Sequence, residues 1–259
     1  MLKARVITAL FLVAGFFAVL FLLPPRAAGI VFALVAALAG WEWAGLMQAS
    51  QRGRVIYALL TFGLSMLFWT SPDEGFPLLW GLAALFWLAF APLWMKRQWS
   101  AACATLGLVI LLPTWAALVA LHARSPLLLL AVMALVWVAD ISAYFTGRAF
   151  GKHKLAPAIS PGKTWEGVAG AVVGVLVYGM AVAPFLPVVQ NLDRAGLAGC
   201  LLLLTALSVI GDLFESMAKR QAGMKDSSQL LPGHGGILDR IDSQTSTLPL
   251  VALGLYWIA

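Results

Sequence analysis

The chain has 259 residues, of which 62% are hydrophobic and 11% charged, and it carries a net charge of +6. That composition excludes a water-soluble globular domain and fits a polytopic membrane protein. The aromatics lie in apolar runs and not in a basic soluble module, so the positive charge gives no reason to invoke nucleic acid.

Apolar stretches long enough to cross about 30 Å of hydrocarbon recur about nine times, near residues 6–23, 28–46, 55–70, 76–95, 101–121, 126–147, 168–187, 195–215 and 238–259. The fold class expected is therefore all-α, with about nine transmembrane helices. Lys3 and Arg5 ahead of the first run imitate a secretory leader, but Pro24-Pro25-Arg26 makes a poor cleavage region and another span follows at once, so the first span is expected to be retained. The last run becomes clearly apolar only at Leu248, and a helix continued back through Asp239 gives it enough length. Cys103 and Cys200 sit in apolar runs without ligand-like spacing and are read as packing residues.

Short cytoplasmic loops collect Lys and Arg, which sets the orientation. With the N-terminus inside, 14 cations (Lys3, Arg5, Arg52, Arg54, Lys96, Arg97, Arg148, Lys152, Lys154, Lys163, Lys219, Arg220, Lys225 and Arg240) fall on the cytoplasmic side. Only 3 (Arg26, Arg124 and Arg194) fall outside. The N-terminus is thus expected in the cytoplasm and the C-terminus outside. No internal repeat or linker separates soluble domains. The chain divides into an N-terminal set of about five spans (residues 1–125) and a C-terminal set of about four (residues 126–259), the latter with cytoplasmic loops at 148–166 and 216–237.

Both loops carry chemistry. Residues 212–242 hold five carboxylates (Asp212, Glu215, Asp226, Asp239 and Asp242) and four cations (Lys219, Arg220, Lys225 and Arg240) between two apolar runs. Ionisable groups near hydrocarbon cost several kcal/mol unless paired, solvated or ion-bound, so they are read first as a functional site. Asp212, Glu215, Ser216 and Lys219 share one helical face at the end of the eighth span. Beyond them Lys225-Asp226-Ser227-Ser228 and Pro232-Gly233-His234-Gly235-Gly236 form a Gly-rich loop of the kind whose amides receive anions. His234 alone is read as a hydrogen-bonded loop residue rather than a base. Asp239 and Asp242 are three apart and share a face if the chain from Leu238 is helical. Carboxylates suit Mg²⁺, and Lys and Arg suit phosphate oxygens.

The earlier segment begins with Asp140, Tyr144 and Arg148 at intervals of four. Asp140 is either a partner for a cation such as Arg148 or a member of the site. Ser160-Pro161-Gly162-Lys163-Thr164 lacks the first glycine of a Walker A loop and no strand is expected before it, so a P-loop is rejected. A turn leading into a helix N-terminus remains, a seat suited to phosphate. Glu42, between Trp41 and Trp43, is expected to stay outside the site, protonated or bonded to a neighbouring helix.

The run Ser216, Lys219, Arg220, Lys225, Asp226, Pro232, His234, Gly235, Gly236, Asp239, Arg240, Asp242 resembles the signature of the phosphatidate cytidylyltransferase (CDP-diacylglycerol synthase) family. Asp140, Tyr144, Gly147, Arg148, Phe150, Gly151, Ser160, Pro161, Lys163, Thr164, Glu166 and Gly167 are also similar to that family. The resemblance implies transfer of CMP from CTP to phosphatidate in a bacterial cytoplasmic membrane, with the active site on the cytoplasmic side. It implies Mg²⁺, with a second cation allowed, at Asp212 and Asp239, and Asp226 and Asp242 as further ligands or orienting groups. Lys219, Lys225 and Asp226 are expected to join those two aspartates in catalysis. Arg148, Ser160, Lys163, Thr164, Ser216, Arg220, His234, Gly235, Gly236 and Arg240 are expected to bind substrate, and a homodimer is expected. A CTP-dependent polyprenol or phytol kinase would share the nucleotide and the metal. A transporter for an anionic lipid or metabolite would instead need polar residues in mid-span and often a duplicated half.

Overall fold

A computed structural model describes residues 2–190 and 192–258. The side chains of Lys3 and Arg5 and the predicted terminal residue Ala259 lie outside the described residues. Each of the nine apolar stretches becomes a helix: α1 Leu2–Leu22, α2 Pro25–Leu46, α3 Gln51–Trp69, α4 Pro72–Arg97, α5 Ala104–Arg124, α6 Pro126–Phe150, α7 Trp165–Val182, α8 Arg194–Gln221 and α9 Leu238–Ile258. Six of these, α2, α4, α5, α6, α7 (continued to Phe185) and α8, are long and apolar enough to cross a membrane.

The structure is mostly helical, as the all-α expectation has it, and adds one small element. Between α6 and α7 stands an antiparallel hairpin, β1 Lys154–Ala156 and β2 Ser160–Thr164, with Lys154 opposite Thr164 and Ala156 opposite Ser160. Residues 160–164, expected as a turn, are thus extended and pair with the strand before them. The 148–166 loop is also shorter than expected. Arg148 to Phe150 finish α6, and Thr164 caps α7 by accepting the Gly167 N–H at 3.1 Å. The 216–237 loop shrinks likewise, because α8 runs on to Gln221. Lys219 and Arg220 in its last turn complement the helix dipole, and Gly223 with φ +70° ends it.

Two close helix crossings set the C-terminal half. α7 lays Gly167, Gly170 and Gly174 against Ala143, Thr146 and Ser142 of α6, and a Cβ at Gly170 would run into the Thr146 side chain. Small residues let membrane helices approach in this way. Gly170→Val is therefore expected to overpack the crossing and cost about 1–3 kcal/mol, read as a lowered melting temperature in detergent. At the second crossing, a Cβ on Gly211 of α8 would lie 2.8 Å from the Asp242 carbonyl of α9. Ser246 Oγ of α9 reaches the Leu207 carbonyl at 2.7 Å. On the other side of α8 the buried Phe214 ring packs edge-on against Phe86 and Trp87 of α4, at 5.3 and 5.6 Å. Two residues are about 200° around a helix, so burying Phe214 in that aromatic cluster turns Asp212 the opposite way.

Candidate active site

That outward face of α8 is where the polar groups gather. Asp212 lines a cleft of about 410 Å³ between α6, the hairpin, α7 and α8, together with Asp140, Tyr144, Arg148, Ser160, Lys163 and Thr164. Its walls are otherwise small and apolar, among them Ala139, Ala143, Val168, Ala171 and Val209. The hairpin delivers Lys163, whose Nζ forms an ion pair with Asp212 Oδ2. Ser216 Oγ donates to Asp212 Oδ1 at 3.3 Å, one turn along α8. Arg148 Nη1 donates to the Tyr144 hydroxyl at 3.2 Å and, among the described residues, has no carboxylate within ion-pair distance. Asp140 is therefore not Arg148's salt-bridge partner; both line the same cleft.

The hairpin is held in turn by Glu166 in the first turn of α7. Its carboxylate accepts the backbone N–H groups of Lys152 (3.1 Å) and His153 (3.2 Å) and meets His153 Nδ1 at 2.6 Å. A carboxylate gathering donors at a helix N-terminus is electrostatically favoured, and here it fixes the path by which the chain leaves α6 and enters β1.

Deeper on the same side, Lys219 Nζ is shared by Glu215 Oε2 (2.9 Å) and Asp239 Oδ1 (2.6 Å), all three nearly closed off from solvent. The other Asp239 oxygen accepts from Ser227 N (2.9 Å), Ser227 Oγ (3.0 Å) and Gly236 N (2.8 Å). Asp239 thus joins the first turn of α9 to both ends of the Gly-rich loop. That loop forms a second, polar cleft of about 640 Å³, lined by Lys225, Asp226, Ser228, His234, Gly235 and Arg240. Gly233 and Gly235 have φ of +76° and +81°, which only glycine adopts without strain. His234 Nδ1 lies 3.3 Å from the Pro232 carbonyl, as suits a loop residue. Lys225, Arg220 and Arg240 are without a carboxylate partner among the described residues, although Arg220 Nη1 donates to the Met224 carbonyl at 3.3 Å.

The expected residues therefore fall into two adjoining clefts with a buried row between them. Arg148, Ser160, Lys163, Thr164 and Asp212 belong to the first; Lys225, Asp226, His234, Gly235 and Arg240 to the second. Lys219 and Asp239 stand in the row, and Gly236 closes the loop onto it. Among the described residues no three His, Cys, Asp or Glu side chains converge closely enough to hold a metal. The charge balance nevertheless suits a hard cation: Asp140, Asp212, Glu215, Asp239 and Asp242 face only Lys163 and Lys219 as paired counter-ions. Glu215 Oε1 is also buried without a hydrogen-bond partner. Carboxylate oxygens of this kind are the donors Mg²⁺ takes.

One residue expected outside the site belongs to its framework. Glu42 of α2, 0% exposed, accepts from Ser228 Oγ (2.6 Å), Ile237 N (2.9 Å) and Leu238 N (2.6 Å) and lies 3.2 Å from Ser227 Oγ, whose one proton it shares with Asp239. An acid inside an apolar span was the available signal. Its partners lie 185 to 196 residues further along the chain, beyond the reach of any local pattern.

The sequence profile described as the cytidylyltransferase family matches residues 3–258. A phosphatidate cytidylyltransferase of Pseudomonas aeruginosa is 44% identical over 271 residues, covering 100% of this chain and 98% of that protein. One from Haemophilus influenzae is 37% identical, covering 100% of both. One from Brucella abortus is 48% identical over 122 residues, 47% of this chain and 44% of that protein. With the profile and two full-length relatives in agreement, the chain belongs to the cytidylyltransferase family.

Proposed function

We propose that the protein transfers the cytidylyl group of CTP to phosphatidate, giving CDP-diacylglycerol and pyrophosphate. The observation that carries this reading is the pairing of two clefts of different character on either side of one acidic row, Arg148 in the first and Lys225 and Arg240 in the second having no carboxylate partner among the described residues. The cleft between α6 and α8 has apolar walls and exposed aromatics near it, Tyr144, Phe145, Phe150 and Trp165, as befits a membrane–water boundary. It suits the lipid phosphate, received by Arg148, Ser160 and Lys163. The polar loop cleft suits CTP, its phosphates received by Lys225, Arg240 and the amides of the glycine turn.

A phosphatidate oxygen attacks the α-phosphorus of CTP, the bond to the β-phosphate oxygen breaks, and pyrophosphate leaves with the electron pair. The attacking oxygen is already anionic, so no general base is needed. Two polyanions must be brought together, and the cations of both clefts lower that repulsion. Mg²⁺ would be held by Asp212 together with substrate phosphate oxygens, with Asp239 and Asp242 of α9 adding negative charge nearby, and would supply charge neutralisation at the reacting phosphates. Lys219, bonded to Glu215 and Asp239, holds the head of α9 to α8.

The same reading has nine helices crossing the bacterial cytoplasmic membrane, N-terminus inside and C-terminus outside, with both clefts facing the cytoplasm and the protein acting as a homodimer. The test is pyrophosphate release from CTP by the purified protein in detergent. Release is expected only with phosphatidate and Mg²⁺ both present, and chelation by EDTA should stop it. Equal release without phosphatidate would contradict the reading.

A further inference from the structure

We infer that Glu42 is a positioning residue for the nucleotide: from the N-terminal half of the chain it clamps the Gly-rich loop against the head of α9 and so shapes the CTP cleft. The inference rests on the assignment of that cleft to CTP. Its basis is geometric. Glu42 is fully buried, and its two oxygens meet four polar groups, all from the loop or from the start of α9, the Ser227 hydroxyl sharing its single proton between Glu42 and Asp239. Ile237 N and Leu238 N are amides at the start of α9, where the helix dipole favours a carboxylate. Ser227 and Ser228 follow directly on Lys225 and Asp226, which line the cleft. Ser227 Oγ also lies 3.0 Å from Asp239, so Glu42 and Asp239 grip the same loop residue from two helices. Gly236 shows how closely the clamp fits: a Cβ there would meet Glu42 Oε1 at 2.5 Å and collide with Ser227 Oγ.

An ionised carboxylate is acceptor-only, whereas a glutamine must turn one N–H₂ toward these donors. Glu42→Gln therefore keeps the shape and volume while breaking one side of the clamp. The full-length protein in detergent micelles is compared with Glu42→Gln and Ser228→Ala by KM for CTP, KM for phosphatidate and kcat, and by the rate of trypsin cleavage after Lys225. Glu42→Gln is expected to raise the CTP KM at least about tenfold, the scale of a lost hydrogen bond to a charged group, with the phosphatidate KM within about twofold. Cleavage after Lys225 should quicken. Ser228→Ala should raise the CTP KM less, and the double variant no more than Glu42→Gln alone. A merely structural role would lower the amount of active protein and leave both KM values alone.

Unchanged CTP KM and wild-type cleavage in Glu42→Gln overturn the inference, as does an equal rise in both KM values. If Glu42→Gln fails to accumulate, Ser228→Ala decides: it keeps three of the four bonds, and an unchanged CTP KM there overturns the clamp. If the wild type makes no CDP-lipid, the functional reading fails, and the cleavage rate still judges the clamp on its own.

Discussion

Lys219→Met is expected to be the most destabilising single change in the C-terminal half. The ammonium is 12% exposed and is the shared partner of Glu215 and Asp239, which are 5% and 6% exposed. Removing one member of a buried ion cluster strands the others, at a cost of about 3–5 kcal/mol. For a chain of this length that amounts to a fall of about 6–20 °C in melting temperature. The Asp239 end of the cluster also holds Ser227 and Gly236, so the loop cleft should lose its shape in the same variant. Glu215→Gln placed on top of Lys219→Met removes one stranded charge and should recover part of the loss, the sign of direct coupling. A Lys219→Met protein that melts with the wild type would mean that the three groups do not form one cluster.

Asp212→Asn is expected to do the opposite, ending activity while sparing the fold. Its side chain is 28% exposed, lines the cleft between α6 and α8 and, among the described residues, has Lys163 and Ser216 as its polar partners. Asparagine keeps the volume and can still accept from Ser216, so the melting temperature should move by no more than about 2 °C. Losing the charge removes the pocket-facing carboxylate of the acidic row and leaves Lys163 without its counter-ion. Turnover should fall about a hundredfold or more, the scale of one preorganised electrostatic contact. Asp239→Asn should behave differently, losing stability as well. Its Oδ2 accepts three donors, and an amide N–H₂ on that side would confront two backbone N–H groups. Measuring melting temperature and turnover together separates the two aspartates.

The contrast between those aspartates marks where sequence reasoning stopped. Helical spacing was enough to put Asp212, Glu215, Ser216 and Lys219 on one face, and the bonds from Ser216 to Asp212 and from Lys219 to Glu215 agree with that spacing. The spacing of Asp140, Tyr144 and Arg148 likewise corresponds to one wall of a cleft. The Lys163–Asp212 pair was not foreseeable, because it depends on the β1–β2 hairpin. Three- and five-residue strands broken by Pro161 and Gly162 carry too little alternation to announce themselves. Glu42 was missed for a related reason: its role comes from contacts across the bundle. The limits of α8 depended on whether a charged segment after an apolar run stays helical. The helix runs on through Lys219, whose i,i+4 pair with Glu215 lies along its face.

The central claim is that the cytidylyl group of CTP, and not its terminal phosphate, passes to the lipid. The direct measurement incubates the purified wild-type protein, phosphatidate and Mg²⁺ with CTP labelled either at the α- or at the γ-phosphate and counts label in the lipid fraction. Membership of the cytidylyltransferase family predicts α-label in the lipid and γ-label released as pyrophosphate. Label from the γ-phosphate in lipid, with CDP as the soluble product, would mean a kinase and contradict the account.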